Sequence, residues 1–253
     1  MKPLVTVITP TTGSHQLYNV LKSVNTQTYS NIEHIVVADG PQYSKATQGM
    51  LEGSQALLIQ LPYNTGHSQY NGHRIYGAMS YIANGDYLCF LDQDNWYEDN
   101  HIESLVEVIQ QGNDWAYSLR KIVSQEGEYI CNDDCESLGK WPVYFNNEIF
   151  HIDTSCFAVR RDVAVQIGHA WYGQWGADRQ FFGAIKKHYP KFDCTNAYTV
   201  NYRLDGNENS VTKDFFEQGN KETRAKYGDK YPWLDKKELM QVAPGVSIIM
   251  KEA

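Results

Sequence analysis

The chain has 253 residues, and 22 Lys and Arg against 30 Asp and Glu leave a formal charge of −8. That acidic balance speaks against broad nucleic-acid binding, which needs a concentrated basic surface, and no stretch approaches the roughly 18–20 apolar residues that span a bilayer. With 42% hydrophobic and 21% charged residues, the chain can bury a substantial core and is not of the disordered class.

The N-terminal residues Met1-Lys2-Pro3-Leu4-Val5-Thr6 enter a strand-like run at once, with no charged segment, long apolar stretch and cleavage site. No secretory signal is visible, and a cytoplasmic enzyme is the natural reading. Leu4 to Thr9 predicts a first strand, closed by the loop signal Pro10-Thr11-Thr12-Gly13. Ser14 is placed to cap a helix carrying Leu17, Val20, Leu21 and Val24. Glu33 to Ala38 is the second strand, stopped by Asp39-Gly40-Pro41, and Ala56 to Leu61 the third. A second helix bears Ile75, Ala78, Met79 and Ile82 and closes at Asn84-Gly85. Tyr87 to Leu91 reads as a buried strand, followed by Asp92-Gln93-Asp94-Asn95. Asn100 with Glu103 resembles a capping box for a helix with Ile102, Leu105, Val106 and Ile109. Such strand–helix alternation implies a mostly parallel sheet.

Beyond Trp115 the pattern changes. Trp115 to Ser124 and Glu128 to Cys131 predict a hairpin, Asp153 to Val159 a strand, and Arg160 to Ile167 a short helix. An aromatic, glycine-rich loop from Gly168 to Gly176 opens into a helix with Phe181, Ala184 and Ile185. Five cysteines, at 89, 131, 135, 156 and 194, make no disulfide framework. Cys131 and Cys135 are half of a zinc site at most, with no second pair at ligand spacing.

In open α/β sheets, ligands gather outside the carboxyl ends of the strands. Thr9-Pro10-Thr11, Asp39 and Asp92-Gln93-Asp94 all fall at such ends. Two carboxylates one residue apart offer oxygen ligands to a hard divalent cation, which could bridge a diphosphate and neutralise charge growing on it. Each feature alone is equally well a helix cap or a solvated turn.

Together, Val5-Thr6-Val7-Ile8-Thr9-Pro10-Thr11, Ile35-Val36-Val37-Ala38-Asp39-Gly40 and the run from Ala83 to Asn95 resemble family 2 of the GT-A glycosyltransferases. The resemblance covers the first ~110 residues by element order and the second half at islands. It implies an α/β, Rossmann-like fold with a mostly parallel central sheet flanked by helices and a smaller, mixed C-terminal region on the acceptor side. One GT-A domain would span residues 1–253, about 1–112 holding the nucleotide and about 113–253 the acceptor. The implied reaction is inverting sugar transfer from a nucleotide-diphosphate sugar, UDP-linked by the commonest expectation, to a hydroxyl of a carbohydrate or other acceptor, with manganese or magnesium.

By position the resemblance puts Thr9, Pro10, Thr11 and Asp39 around base and ribose, and Asp92 and Asp94 on ribose, metal and diphosphate. Arg74 looks like the family's Arg-x-x-Gly helix start, two residues further from Gly85 than usual. In Trp171-Tyr172-Gly173-Gln174-Trp175-Gly176-Ala177-Asp178, the family commonly has a Glu-Asp pair where this chain has Ala177-Asp178, which makes Asp178 the candidate general base; a helix N-terminal carboxylate is the bland reading. Trp171, Tyr172 and Trp175 are candidates for an acceptor wall, with core packing the alternative, and His151 and Asp153 are weaker acceptor candidates. Asn201 to Ser210 resembles a closing loop in which Arg203 meets phosphate and Asp205 stands where relatives carry a metal-binding His. The departures at 177 and 205 keep open a non-catalytic carbohydrate-binding protein of degenerate GT-A fold. A sugar nucleotidyltransferase is disfavoured, because Pro10-Thr11-Thr12-Gly13-Ser14 is neither glycine-rich nor basic.

Overall fold

The first strand, β1 (Val5–Thr11), is buried at every position, as a β-branched run covered on both faces must be. The computed structural model describes residues 2–204, 211–228 and 230–234. Helix α1 (Leu17–Asn25) buries Leu17, Val20, Leu21 and Val24, the stripe its periodicity predicts. Ser14 does not cap it: Gln16 holds the cap position without a side-chain bond, while Ser14 Oγ accepts from the Gln16 amide at 3.4 Å. Strand β2 (Ile32–Ala38) leads into α2 (Pro41–Met50). No apolar period announces α2, since only Thr47 is buried along it; Pro41, with φ preset and no N–H to lose, opens it.

After β3 (Leu57–Gln60) comes α3 (His73–Met79), shorter than expected, for Ile82 lies past its end and is 57% exposed. Strand β4 (Tyr87–Phe90) delivers the Asp-Gln-Asp turn, and β5 (Trp96–Tyr97) and α4 (His101–Gln110) follow. Asn100 stands at the cap of α4 with no side-chain bond, and Glu103 instead accepts from the Thr28 hydroxyl at 2.7 Å, so the capping box does not form. The hairpin of β6 (Trp115–Val123) and β7 (Tyr129–Asn132) is as expected. Residues 154–156 form a single tight turn capped by Asp153, so β8 (Phe157–Arg160) begins later than the sequence suggests. Helix α5 (Arg161–Ile167), α6 (Ala177–His188), β9 (Phe192–Arg203) and α7 (Lys213–Tyr227) complete the order.

Among the described residues the strands make one sheet, ordered β3-β2-β1-β4-β8-β6-β9-β5, with β7 on β6. The architecture is α/β, but the sheet is more mixed than the alternation implies. The pairs β1·β2, β1·β4, β2·β3 and β6·β9 are parallel, whereas β4·β8, β6·β8, β5·β9 and β6·β7 are antiparallel. The physical reason is the long excursion after β7. It crosses the carboxyl rim, so β8 re-enters between β4 and β6 from that rim and must run against both. Aromatic rings lock this middle of the sheet: Trp115 stacks on Phe192 at 4.0 Å. All five cysteines are free, and no described helix is long and apolar enough to cross a membrane.

Candidate active site

Strands β1, β2, β4, β6 and β9 end on one rim and β8 begins there, and a cavity of about 390 Å³ opens at this rim. Pro10, Thr11, Asp39, Asp92, Asp94, His151, Asp153, Trp175, Asp178 and Arg203 all line it. Sequence stretches as far apart as residues 10 and 203 therefore converge.

The β1 and β4 ends are tied together by Gln93, whose Oε1 accepts from the Thr11 hydroxyl at 2.8 Å and the Thr12 amide at 2.9 Å. Asp39, at the end of β2, accepts from the Thr65 amide (2.7 Å) and hydroxyl (2.8 Å) and from the Gly66 amide (2.8 Å). It thereby folds the 64–72 loop over the cavity. The approach demands glycine at 66, where an added Cβ would come within 2.4 Å of the Asn71 carbonyl oxygen and 2.9 Å of Asp39 Oδ2.

Asp92 accepts from the Tyr76 hydroxyl at 2.7 Å, and its amide donates to Ser155 Oγ at 3.3 Å. Both Asp92 and Asp94 are partly open to the cavity and hemmed in by protein elsewhere. Burial first, then the Asp94 and Asp153 charges, push the Asp92 carboxyl well above its usual range. Burial likewise raises Asp94 to about 6, with Arg203 pulling against the rise. Arg203 is aimed by its Nε, which donates to the Asp94 carbonyl at 3.1 Å, and by a bond to the Gln125 carbonyl, and its guanidinium lies 4.9 Å over Trp96.

Asp178 also lines the cavity and stands in the first turn of α6, its Oδ1 accepting from the Arg179 amide at 2.8 Å and its Oδ2 3.6 Å from His151 Nε2. Asp153 joins a cluster that the sequence did not reveal. Arg120 of β6 is 1% exposed and reaches Asp133 (2.8 Å), Glu136 (2.6 Å) and Asp153 (2.8 Å), with the Tyr202 ring 4.1 Å away. Burial acts to raise Asp133, yet the Arg120 charge and amides of residues 135 and 137 outweigh it and hold the carboxyl below its usual range. Arg120, Glu136 and Arg179 also line the cavity. An arginine inside the strand-forming run Trp115–Val123, at a position that proves buried, is the signal that could have exposed this cluster.

Three expectations are corrected. Thr9 does not reach the cavity: two residues back from the strand end, it is fully buried and bonded to His34 at 3.0 Å. Arg74 turns away, with its guanidinium 3.5 Å over Tyr70 and 5.3 Å from Tyr172. Trp171 is core, fully buried and stacked on Phe181 at 4.1 Å; only Trp175 of the expected wall lines the cavity. Asp205, the expected third metal ligand, lies outside the described residues.

Among the described residues no group of three or more His, Cys, Asp or Glu side chains is placed to hold a metal ion by itself. Asp92 and Asp94 offer hard oxygen donors where negative charge is already in excess. The pair fits a divalent cation that draws its other ligands from phosphate oxygens and water.

Residues 6–168 match the model of glycosyl transferase family 2. The chain belongs to that family. Among sequence relatives, the amylovoran biosynthesis glycosyltransferase AmsB of Erwinia amylovora is 23% identical over 64% of this chain and 56% of its own, and an uncharacterized protein of Haemophilus influenzae is 35% identical over 29% of this chain and 50% of its own. The chain thus spans about half the length of these curated relatives. S. aureus TarS 1–349, solved in complex with UDP-GlcNAc, superposes with a TM-score of 0.63 at 16% identity, over 85% of this chain and 64% of that one. Its complex with UDP gives 0.60 at 14% identity, over 88% and 65%. The family 2 chain therefore carries the GT-A fold.

Proposed function

We propose that the protein is an inverting glycosyltransferase that moves a sugar from a uridine-diphosphate sugar to a hydroxyl of a carbohydrate acceptor. One observation carries this reading: Asp39, Asp92, Asp94 and Asp178, from four separate stretches, line one cavity at the carboxyl rim of the sheet. The UDP-sugar complex of a protein with this fold supports the choice of donor.

The base and ribose fit against Pro10, Thr11 and the 64–72 loop that Asp39 holds. Asp92 and Asp94 would hold a manganese or magnesium ion, which when bound supplies positive charge beside the diphosphate. Arg203 stands ready to pair with phosphate oxygens. Asp178, on the same cavity, takes the proton of the acceptor hydroxyl as its oxygen attacks the anomeric carbon. The bond from that carbon to the diphosphate oxygen breaks on the far side, and the electron pair leaves with the diphosphate, so the configuration inverts. A general base at this step is worth typically 10²–10⁴-fold.

The test uses UDP-GlcNAc with manganese, following UDP release with and without added oligosaccharide. Asp178→Asn should bind UDP normally while turnover falls about 10²–10⁴-fold, and near-normal turnover rejects Asp178 as base. Asp94→Ala should lose manganese-dependent UDP binding. Should the wild-type chain bind UDP-sugars yet never release UDP, the non-catalytic reading replaces this one.

A further inference from the structure

His151 stands two residues before Asp153 at the mouth of β8 and is 5% exposed. Its two ring nitrogens have unlike surroundings. Nδ1 is buried with no hydrogen-bond partner, whereas Nε2 faces Asp178 Oδ2 at 3.6 Å. The backbone beneath the ring is pinned, since the Gly139 amide donates to the His151 carbonyl at 2.9 Å, and Asp153 is anchored on Arg120. A buried N–H without a partner is rarer and costlier than a bare lone pair. The ring hydrogen therefore belongs on Nε2, directed at Asp178.

We propose that His151 is a positioning residue for the transfer reaction, its Nε2–H donating to Asp178 Oδ2 and setting the angle at which that carboxylate meets the acceptor hydroxyl. The inference rests on the reading of Asp178 as general base. Asp178 Oδ1 is already taken by the Arg179 amide, so His151 supplies the second hold, and the remaining lone pair of Oδ2 is left to the cavity. The separation exceeds the roughly 2.9 Å of a formed hydrogen bond, and such contacts tighten when the substrate complex closes. Among the described residues, the other charged or titratable groups around the pair are His73 on α3, tied to the Gly173 carbonyl at 3.2 Å, Arg179 and Glu136, 3.9 Å apart, Arg120 with Asp153, and Asp92, which lines the same cavity. None of these side chains is in hydrogen-bond contact with the Asp178 carboxylate, which among the described residues leaves His151 as the side chain placed to orient it.

Carboxyl-¹³C aspartate labelling tests this without any donor. The Asp178 resonance is assigned by its loss in Asp178→Asn and its chemical shift compared at one pH in the wild type, His151→Phe and His151→Gln. It should move in His151→Phe, where the N–H donor to the carboxylate is lost, and by less in His151→Gln, whose amide N–H can reach the same oxygen. An unmoved resonance in His151→Phe overturns the proposal, as does a ring ¹⁵N spectrum of the wild type that places the hydrogen on Nδ1. In UDP release from UDP-GlcNAc with manganese and water as acceptor, His151→Phe should lose about tenfold in kcat, the scale of one charge-assisted hydrogen bond, with donor KM unchanged and partial recovery in His151→Gln. An effect confined to KM, or equal in both variants, overturns the positioning role. If Asp178→Asn itself turns over normally, it is the transferase reading that fails. If Asp178→Asn is dead and His151→Phe is normal, only this inference falls.

Discussion

Two groups of carboxylates share the cavity and live under opposite electrostatic conditions. Around Arg120, three carboxylates converge on one guanidinium at 2.6–2.8 Å, and Asp133 also accepts from the amides of Cys135, Glu136 and Ser137. At the end of β4, Asp92 has the Tyr76 hydroxyl as its hydrogen-bond donor, and both Asp92 and Asp94 are pushed up in pKa. The first cluster shares one guanidinium, which with the amides at 135 and 137 is enough to hold Asp133 down. At the second, among the described residues, Arg203 pulls against the rise at Asp94 without overcoming it, and this is the pair to which we assign the proposed cation.

The harshest way to break this comparison is to remove the answering charge from the first cluster. Arg120→Met should cost about 3–5 kcal/mol, because three carboxylates stay buried without a cation. Urea unfolding measures this directly, and a midpoint near that of the wild type would show that the cluster is no scaffold.

A smaller effect distinguishes the clusters by sign. Asp133→Asn should destabilise by about 2–3 kcal/mol, whereas Asp94→Asn, without metal, should leave stability unchanged or raise it by about 1–2 kcal/mol, discounted because the side chain is partly open to the cavity. Asp133, held below its ordinary 3.8, contributes stability that is present above that value and lost as pH falls through its lower native one. Asp94, raised from 3.8 to about 6, burdens the fold above pH 6, and the burden lifts as pH falls from there towards 3.8. Thermal melts at pH 7.5 and 5 should therefore show the advantage of Asp94→Asn shrinking at the lower pH, while Asp133→Asn stays worse than the wild type at both. UDP with manganese should stabilise the wild type at pH 7.5 and not Asp94→Asn, since stabilisation follows occupancy of the native site.

The same division governs what could be read from the chain. Strands β1, β2 and β4 declare themselves because parallel strands buried on both faces are short apolar runs, and the residues at their ends are fixed by chain order alone. Pro10, Thr11, Asp39, Asp92 and Asp94 were legible for that reason. Thr9 was misplaced because a motif names a stretch, while the strand decides how far from the rim each residue sits. The Arg120 cluster gathers residues 120, 133, 136 and 153 from a strand, two loop positions and a turn. No spacing rule links them, because β8 brings them together by entering the sheet backwards. Helix α2 was missed for the opposite reason: it is polar and packs lightly, so it has no apolar period to read.

The mildest prediction concerns two tryptophans that sequence treats alike. Trp171 stacks on Phe181 and meets Phe90 and Tyr76 edge-on or tilted, so it belongs to the core. Trp175 is 54% exposed at the cavity mouth, with the Arg179 guanidinium 4.9 Å from its ring. An exposed cation–π pair is worth about 0.5–1 kcal/mol, and an open indole beside a sugar-sized cavity presents an apolar face to an acceptor ring. Trp175→Ala should accordingly leave the melting temperature and the KM for UDP-GlcNAc unchanged while raising acceptor KM by about two- to fivefold, the scale of that interaction. A loss of donor binding instead would place Trp175 on the nucleotide side of the cavity, and Asp178 would then no longer divide donor from acceptor.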